Sequence, residues 1–267
     1  MDEMILTQID DRGVAHIILN RPDVHNAFNA EVIGLLHDAF CSLGQNEDVR
    51  AIVLRAEGRS FSAGADLGWM KDAANWSIED NLSDAGRLSA MLDAFNSCPK
   101  PTIALVQGAA FGGGVGLVAC ADIALGTAHA KFALSEVRLG ILPATISPYV
   151  IAAIGPRQAR RYFQTAERFD AREAQRIGLL HEILADEQAL GARAEEIIAE
   201  LLKGGPQAQA ASKQLVFNVT GRDINYELRR ETAESIAKHR TSIEGQEGLR
   251  AFFEKRPAAW INSDKKS

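Results

Sequence analysis

The spacing of apolar residues changes along this chain, and the change divides it. In the first part, short β-rich runs alternate with helical patterns. MILTQID (4–10) and VAHIILN (14–20) flank Asp11-Arg12-Gly13, which predicts a hairpin. NAEVIGLLHDAFCSLGQN (29–46) carries apolar residues at 32, 35, 36, 39 and 40, a helical stripe with Asn29 as its N-cap. AIVLRAE (51–57) and TIALVQG (102–108) are short strands bounded by glycine or proline, and DIALGTAHAKFAL (122–134) reads as a further strand pair. From SPYVIAAIG (147–155) onward the pattern turns helical, with ALGARAEEIIAELLKG (189–204) and the long run 225–256. These patterns predict an α/β layered core over residues 1–190 and a helical C-terminal region over 191–267. The last six residues, NSDKKS, are expected to fray.

One helical stretch breaks the rule for helices. QGAAFGGGVGLVACADIAL (107–125) places Gly112, Gly113, Gly114 and Gly116 at the start of an apolar helix, although each glycine there costs about 1 kcal/mol against alanine. Two readings explain this. Glycine lets backbone approach a ligand, and a helix N-terminus offers free N–H donors to an anion or a polarised oxygen. Alternatively, the glycines let the helix pack tightly on a sheet. The spacing fits neither a dinucleotide fingerprint nor a Walker loop. A second loop, EGRSFSAGADLGWM (57–70), also follows a strand and sets Gly64 beside Ala65 and Asp66. Two such turns converging on one oxygen would form an oxyanion hole.

Composition narrows the partners. The 267 residues are 46% hydrophobic and 24% charged, with 35 acidic against 29 basic side chains and a formal charge of −6. That balance disfavours binding to nucleic acid or to an anionic membrane. Cys41, Cys98 and Cys120 stand far apart without metal-ligand spacing, as expected of reduced thiols, and the six histidines form no ligand cluster. The acidic N-terminal stretch lacks signal-peptide character and no apolar run reaches membrane-spanning length, so a cytoplasmic location is expected.

SFSAGADL, QGAAFGGGVGL, CADIAL and FALSEVRLGILP occur in the order and spacing of the crotonase superfamily, the enoyl-CoA hydratases and isomerases, which the chain resembles from ILNRPDVHNAFN to Trp260. The resemblance implies a spiral of ββα units followed by a helical trimerisation region, in a homotrimer or a dimer of trimers. It implies an acyl-CoA thioester substrate, with coenzyme A as part of the substrate and no metal or redox cofactor. The oxyanion-hole amides fall on Ala65 and Gly113, with Ala63, Asp66, Leu67 and Gly112 beside them. Backbone near Val24 and His25 is implied to contact CoA, and Lys255 its phosphates, often those of a neighbouring subunit.

Glu136 matches one catalytic carboxylate of the family, whereas Gly116 stands where two-carboxylate hydratases carry a second. A glycine there is expected to empty space and remove a charge, favouring a branched or carboxylate-bearing acyl group. FGGGVGLVAC, SEVRLGILPATISPYV and ARRYFQTAERFDA are most similar to bacterial methylglutaconyl-CoA hydratases of leucine breakdown, and also to isohexenylglutaconyl-CoA hydratases. Arg138 either approaches that carboxylate or forms a salt bridge at the core edge, and Trp69 and Met70 either wall the acyl pocket or belong to the core. A Δ3,Δ2-enoyl-CoA isomerase also suits a single carboxylate. An RNA-binding protein and an inactive acyl-CoA binder are the rivals of another class.

Overall fold

The computed structural model describes residues 3–261; the terminal NSDKKS segment lies outside the described residues. The hairpin forms as the spacing predicts, β1 (Ile5–Ile9) running antiparallel to β2 (Val14–Leu19) with Thr7 opposite Ile17. Asn29 caps α1 (Ala30–Gln45), its side chain accepting from the Val32 amide at 2.9 Å. Then follow β3 (Ala51–Ala56), β4 (Ser60–Ser62), α2 (Leu67–Ala73), α3 (Ile78–Asn96), β5 (Thr102–Val106), β6 (Ala109–Phe111) and α4 (Gly113–Cys120). The next elements are β7 (Ile123–Thr127), β8 (Lys131–Ala133), α5 (Ser147–Thr165), β9 (Phe169–Asp170), α6 (Ala171–Arg176), β10 (Glu182–Leu184) and α7 (Glu187–Lys203). Helices α8 (Pro206–Val219), α9 (Tyr226–Thr241) and α10 (Ile243–Glu254) complete the chain.

The strands form two sheets. One has the order β1-β2-β3-β5-β7-β10 and is parallel after the hairpin; the other has the order β4-β6-β8-β9. Three successive units therefore each lay one strand in each sheet before a helix returns the chain, and the spiral implied by the resemblance is the fold. The strand pair expected over 122–134 is corrected here. Both strands form, but β7 pairs with β5 and β10, while β8 pairs with β6 and β9. A single stretch of sequence shows the two strands but not the neighbours they find.

Parallel strands buried on both faces read as nearly continuous apolar runs, and β2 and β3 do so. On one face Ile17, Leu19, Ile52 and Leu54 join the main core under α1, α3, α4 and α5. On the other, Val14, Val53 and Ile103 pack against Ile198 of α7. The expected division at residue 190 falls inside α7, where Leu190 packs on Leu125 of β7. Among the described residues, no helix is long and apolar enough to cross a membrane.

The loop between β2 and α1 is pinned to β4 by Asn26, which is only 2% exposed and adopts φ 53°. Its side-chain amide donates to the Glu57 and Ser60 carbonyls, both at 2.8 Å, and its oxygen accepts from the Arg21 amide at 2.8 Å. Ser62 Oγ donates back to the Asn26 carbonyl at 2.9 Å. Asparagine suits this place because it tolerates the left-handed region better than most residues. Asn26→Ala removes the side-chain partner of the half-buried Arg21 amide and Glu57 carbonyl and one of two side-chain donors to the Ser60 carbonyl, and is expected to cost about 1–3 kcal/mol in denaturant unfolding. A loss below about 0.5 kcal/mol would show that the loop is held elsewhere.

Candidate active site

Two loops meet at Phe28. Its amide donates to the Gly64 carbonyl at 2.7 Å, and its carbonyl accepts from the Asp66 amide at 2.8 Å, an isolated parallel bridge with Ala65 between the bonded groups. In such a bridge the N–H of the residue between faces away from the partner strand, so Ala65 turns its donor outward. Gly64 adopts φ +86°, and a Cβ there would stand 2.9 Å from the Phe111 carbonyl oxygen of the second loop. Glycine at 64 is what lets the loops touch.

In the second loop Gly112 adopts φ 49° and ψ −116°, and its amide is bound to the Ala133 carbonyl at 2.9 Å. Gly113 is the first residue of α4, so its N–H has no acceptor within the helix. A Cβ at Gly113 would come within 3.1 Å of the Phe28 ring, and one at Gly114 within 2.7 Å of the Ser62 carbonyl oxygen. Phe28 thus holds the first loop through its backbone and the second through its ring. Among the described residues, neither the Ala65 nor the Gly113 amide donates to a backbone carbonyl. Both line one cavity of about 290 Å³.

Glu136 lines the same cavity from the first position of a 3₁₀ turn, Glu136–Leu139. Its Oε1 lies 3.2 Å from where a Cβ on Gly112 would sit, so that glycine also makes room for the carboxyl. Its Oε2 is buried without a hydrogen-bond partner. Burial pushes the Glu136 carboxyl above the ordinary carboxylate range, and a hydrogen bond from its own backbone amide offsets this only in part. No lysine, arginine or histidine lines this cavity among the described residues. An acid of this kind holds its proton to higher pH than an exposed carboxyl does and can pass it to and from a reacting group.

Other expectations separate. Ala63, Leu67, Trp69 and Met70 line the cavity with Gly112. Asp66 does not: its carboxyl caps α2 through the Gly68 and Trp69 amides at 2.9 and 3.4 Å, and pairs with Arg21 at 3.1 Å. Burial raises this carboxyl, but the Arg21 guanidinium and the two amides outweigh it and hold the group below its ordinary range. Arg21 also donates to the Ala27 carbonyl at 2.6 Å, so the clamp joins the Asn26 loop to the start of α2. His25 is occupied, with Nδ1 3.0 Å from Ser60 Oγ and Nε2 accepting from Arg59 at 2.9 Å. Val24 is exposed, and Lys255 is exposed at the C-cap of α10; neither lines the cavity. Arg138 is exposed, does not line the cavity and forms no ion pair among the described residues, so the salt bridge expected of it is absent there.

Gly116 requires a correction. It is buried, does not line the cavity and leaves no empty space. A Cβ there would run into Ile146, standing 3.0 Å from its Cβ, with Leu92 Cδ2 at 3.5 Å. Ile146, 3% exposed, fills the volume beside Gly116 and adds an apolar residue to the cavity lining. Sequence reasoning missed Ile146, Phe28, Asn26 and Arg21 as parts of the site. These residues stand in ATIS and RPDVHNAFN, but only the fold shows what each one touches.

Ala65 and Gly113, whose amides donate to no backbone carbonyl among the described residues, line one cavity beside a single buried acid, an arrangement suited to stabilising charge on a carbonyl oxygen. The profile of the enoyl-CoA hydratase/isomerase family matches residues 10–263, and the chain belongs to that family. A putative enoyl-CoA hydratase of Thermus thermophilus is 32% identical over 252 residues, covering 94% of this chain and 99% of its own. Among solved structures, an enoyl-CoA hydratase from Shewanella pealeana is 45% identical with TM-score 0.94, covering 97% of this chain and 96% of its own. Pseudomonas aeruginosa AtuE is 38% identical with TM-score 0.92, covering 97% of this chain and 100% of its own.

A carboxyl whose folded-state value is raised stabilises the fold fully below the ordinary glutamate range and loses that stability as pH climbs through the raised value. Glu136→Gln removes the buried charge while keeping the shape. The variant is therefore expected to melt above the wild type at pH 8, with the difference vanishing near pH 4. Equal melting temperatures at pH 8 would contradict a desolvated carboxyl.

Proposed function

We propose that this enzyme adds water across the conjugated double bond of a branched, carboxylate-bearing enoyl-CoA, with methylglutaconyl-CoA going to hydroxymethylglutaryl-CoA in leucine breakdown. The observation that carries the chemistry is the raised, solitary Glu136 in the cavity that the Ala65 and Gly113 amides also line. The thioester oxygen lies between the two N–H donors. Glu136 takes a proton from water as the hydroxyl oxygen bonds to Cβ, and the electron pair of the double bond moves onto the thioester oxygen as an enolate. Glu136 then returns the proton to Cα, and the carbonyl reforms. Each amide of such a pair is worth about 10²–10³ in rate.

The acyl end of this reading rests on the wording of the sequence motifs. On the structural side, the Trp69 indole N–H is buried without an acceptor among the described residues, and it belongs to a residue that lines the cavity. It is the donor there suited to a distal carboxylate. The rest of the wall is mostly apolar, from Ile33, Leu88, Leu142 and Ile146, and fits a branched carbon chain. The same reading takes the protein as a cytoplasmic homotrimer or dimer of trimers in which Lys255 meets the CoA phosphates of a neighbouring subunit. Bare apolar side chains on α10, Ile243 at 92% and Phe252 at 77% exposure, support a buried role in an assembly.

A second reading, Δ3,Δ2-enoyl-CoA isomerisation, is favoured by the apolar Ile146 wall, since one carboxyl can carry a proton between Cα and Cγ. A turnover panel of methylglutaconyl-CoA, isohexenylglutaconyl-CoA and crotonyl-CoA in ¹⁸O-labelled water separates these readings. The expected result is label in the product and the highest kcat/KM for methylglutaconyl-CoA. Preference for crotonyl-CoA would overturn the substrate, and double-bond migration without label would overturn hydration.

A further inference from the structure

Hydration by one carboxyl leaves half of the water unheld. The attacking molecule gives one hydrogen to Glu136, while its other hydrogen and its lone pairs must be oriented toward Cβ by something else. Misplacement of a reacting group by about 1 Å costs on the order of 10²-fold in rate, so a second contact to this water matters. The space where a second acid is expected belongs to Ile146, which cannot hold water.

The polar side chains lining the cavity are few: Trp69, Ser135, Glu136 and Thr145. Trp69 offers only a donor. Ser135 adjoins Glu136 in sequence, as the residue that precedes its 3₁₀ turn. Thr145 comes from a different segment, one residue before Ile146, whose side chain is seated on Gly116 of α4. The turn that carries Thr145 is built without its hydroxyl. The Ala144 amide donates to the Leu142 carbonyl at 2.8 Å, and Ser147 donates to the Ala144 carbonyl through its amide at 3.1 Å and its Oγ at 2.7 Å. The Thr145 hydroxyl takes part in no hydrogen bond among the described residues, so it is free to accept from or donate to a water in the cavity.

We propose that Thr145 positions the attacking water against Glu136. Gly116 enables this indirectly: the missing side chain lets Ile146 dock on α4, which fixes the segment that sets Thr145 in the cavity wall. The inference rests on the hydratase reading above. Thr145 is a positioning residue, since it touches the water and leaves the proton transfer to Glu136.

The test uses three variants of the full chain: Thr145→Val, which keeps the shape and loses the hydroxyl, Thr145→Ser, which keeps the hydroxyl, and Ser135→Ala. Hydration of methylglutaconyl-CoA and crotonyl-CoA is measured beside exchange of the Cα protons of butyryl-CoA with D₂O, which needs the base and the two amides but no added water. Thr145→Val is expected to lower the hydration kcat about 10–100-fold with little change in KM, while exchange stays within about twofold of wild type. Thr145→Ser is expected to restore hydration, and Ser135→Ala to leave it unchanged. Hydration by Thr145→Val within twofold of wild type would overturn the assignment, as would parallel loss of hydration and exchange, or a larger loss in Ser135→Ala. A wild-type enzyme that exchanges Cα protons yet hydrates neither thioester would instead overturn hydration, and the water to be held with it.

Discussion

The bridge between Phe28 and the Gly64–Asp66 segment is the contact on which the site depends. Two backbone hydrogen bonds, 2.7 and 2.8 Å long, fix Ala65 with its donor outward, and the same residue's ring lies against Gly113. One aromatic side chain, 2% exposed, thereby sets both halves of a donor pair that comes from different sheet-to-helix turns. Asn26 and Arg21 hold Phe28's loop in turn, through buried hydrogen bonds to β4 and the clamp on Asp66. Under the proposed reaction these amides receive the charge without rearranging, the condition under which fixed dipoles are worth most.

The cost of this arrangement is spread over the glycines. A β-carbon at Gly64, Gly113, Gly114 or Gly116 would meet backbone or a side chain within about van der Waals contact, so each glycine records a close approach. A helix start weakened in this way is tolerated because α4 is wholly interior. Val115, Leu117 and Val118 are at most 1% exposed, and their burial offsets the lost propensity. Glu136 carries a second cost, an unpartnered carboxyl oxygen in a cavity without a cation. Both costs sit at the cavity where the proposed chemistry would occur, and neither would persist in a fold selected for stability alone.

Much of this was legible in the sequence because it is local. The hairpin, the Asn29 cap and the strand–glycine–helix turns all rest on residues within a few positions of each other, and the family resemblance those turns carry singled out Ala65, Gly113 and Glu136, which line one cavity. What was not legible is long-range. The strands at 123–127 and 131–133 were visible, but their partners lie tens of residues away. Gly116 reads as a hole when considered alone, and only the docking of Ile146 from 30 residues downstream shows that the hole is filled. Asp66 looks like a ligand-facing acid until Arg21 is seen against it. Phe28 carries no sequence signal for its role at all, since an aromatic residue before a helix is ordinarily core.

The most direct test of the donor pair is a crystal structure with a saturated acyl-CoA bound. The account places the thioester oxygen about 2.7–3.1 Å from both the Ala65 and the Gly113 nitrogen, with Glu136 facing Cα and Cβ. A thioester oxygen in contact with only one of these amides, or with neither, would contradict it.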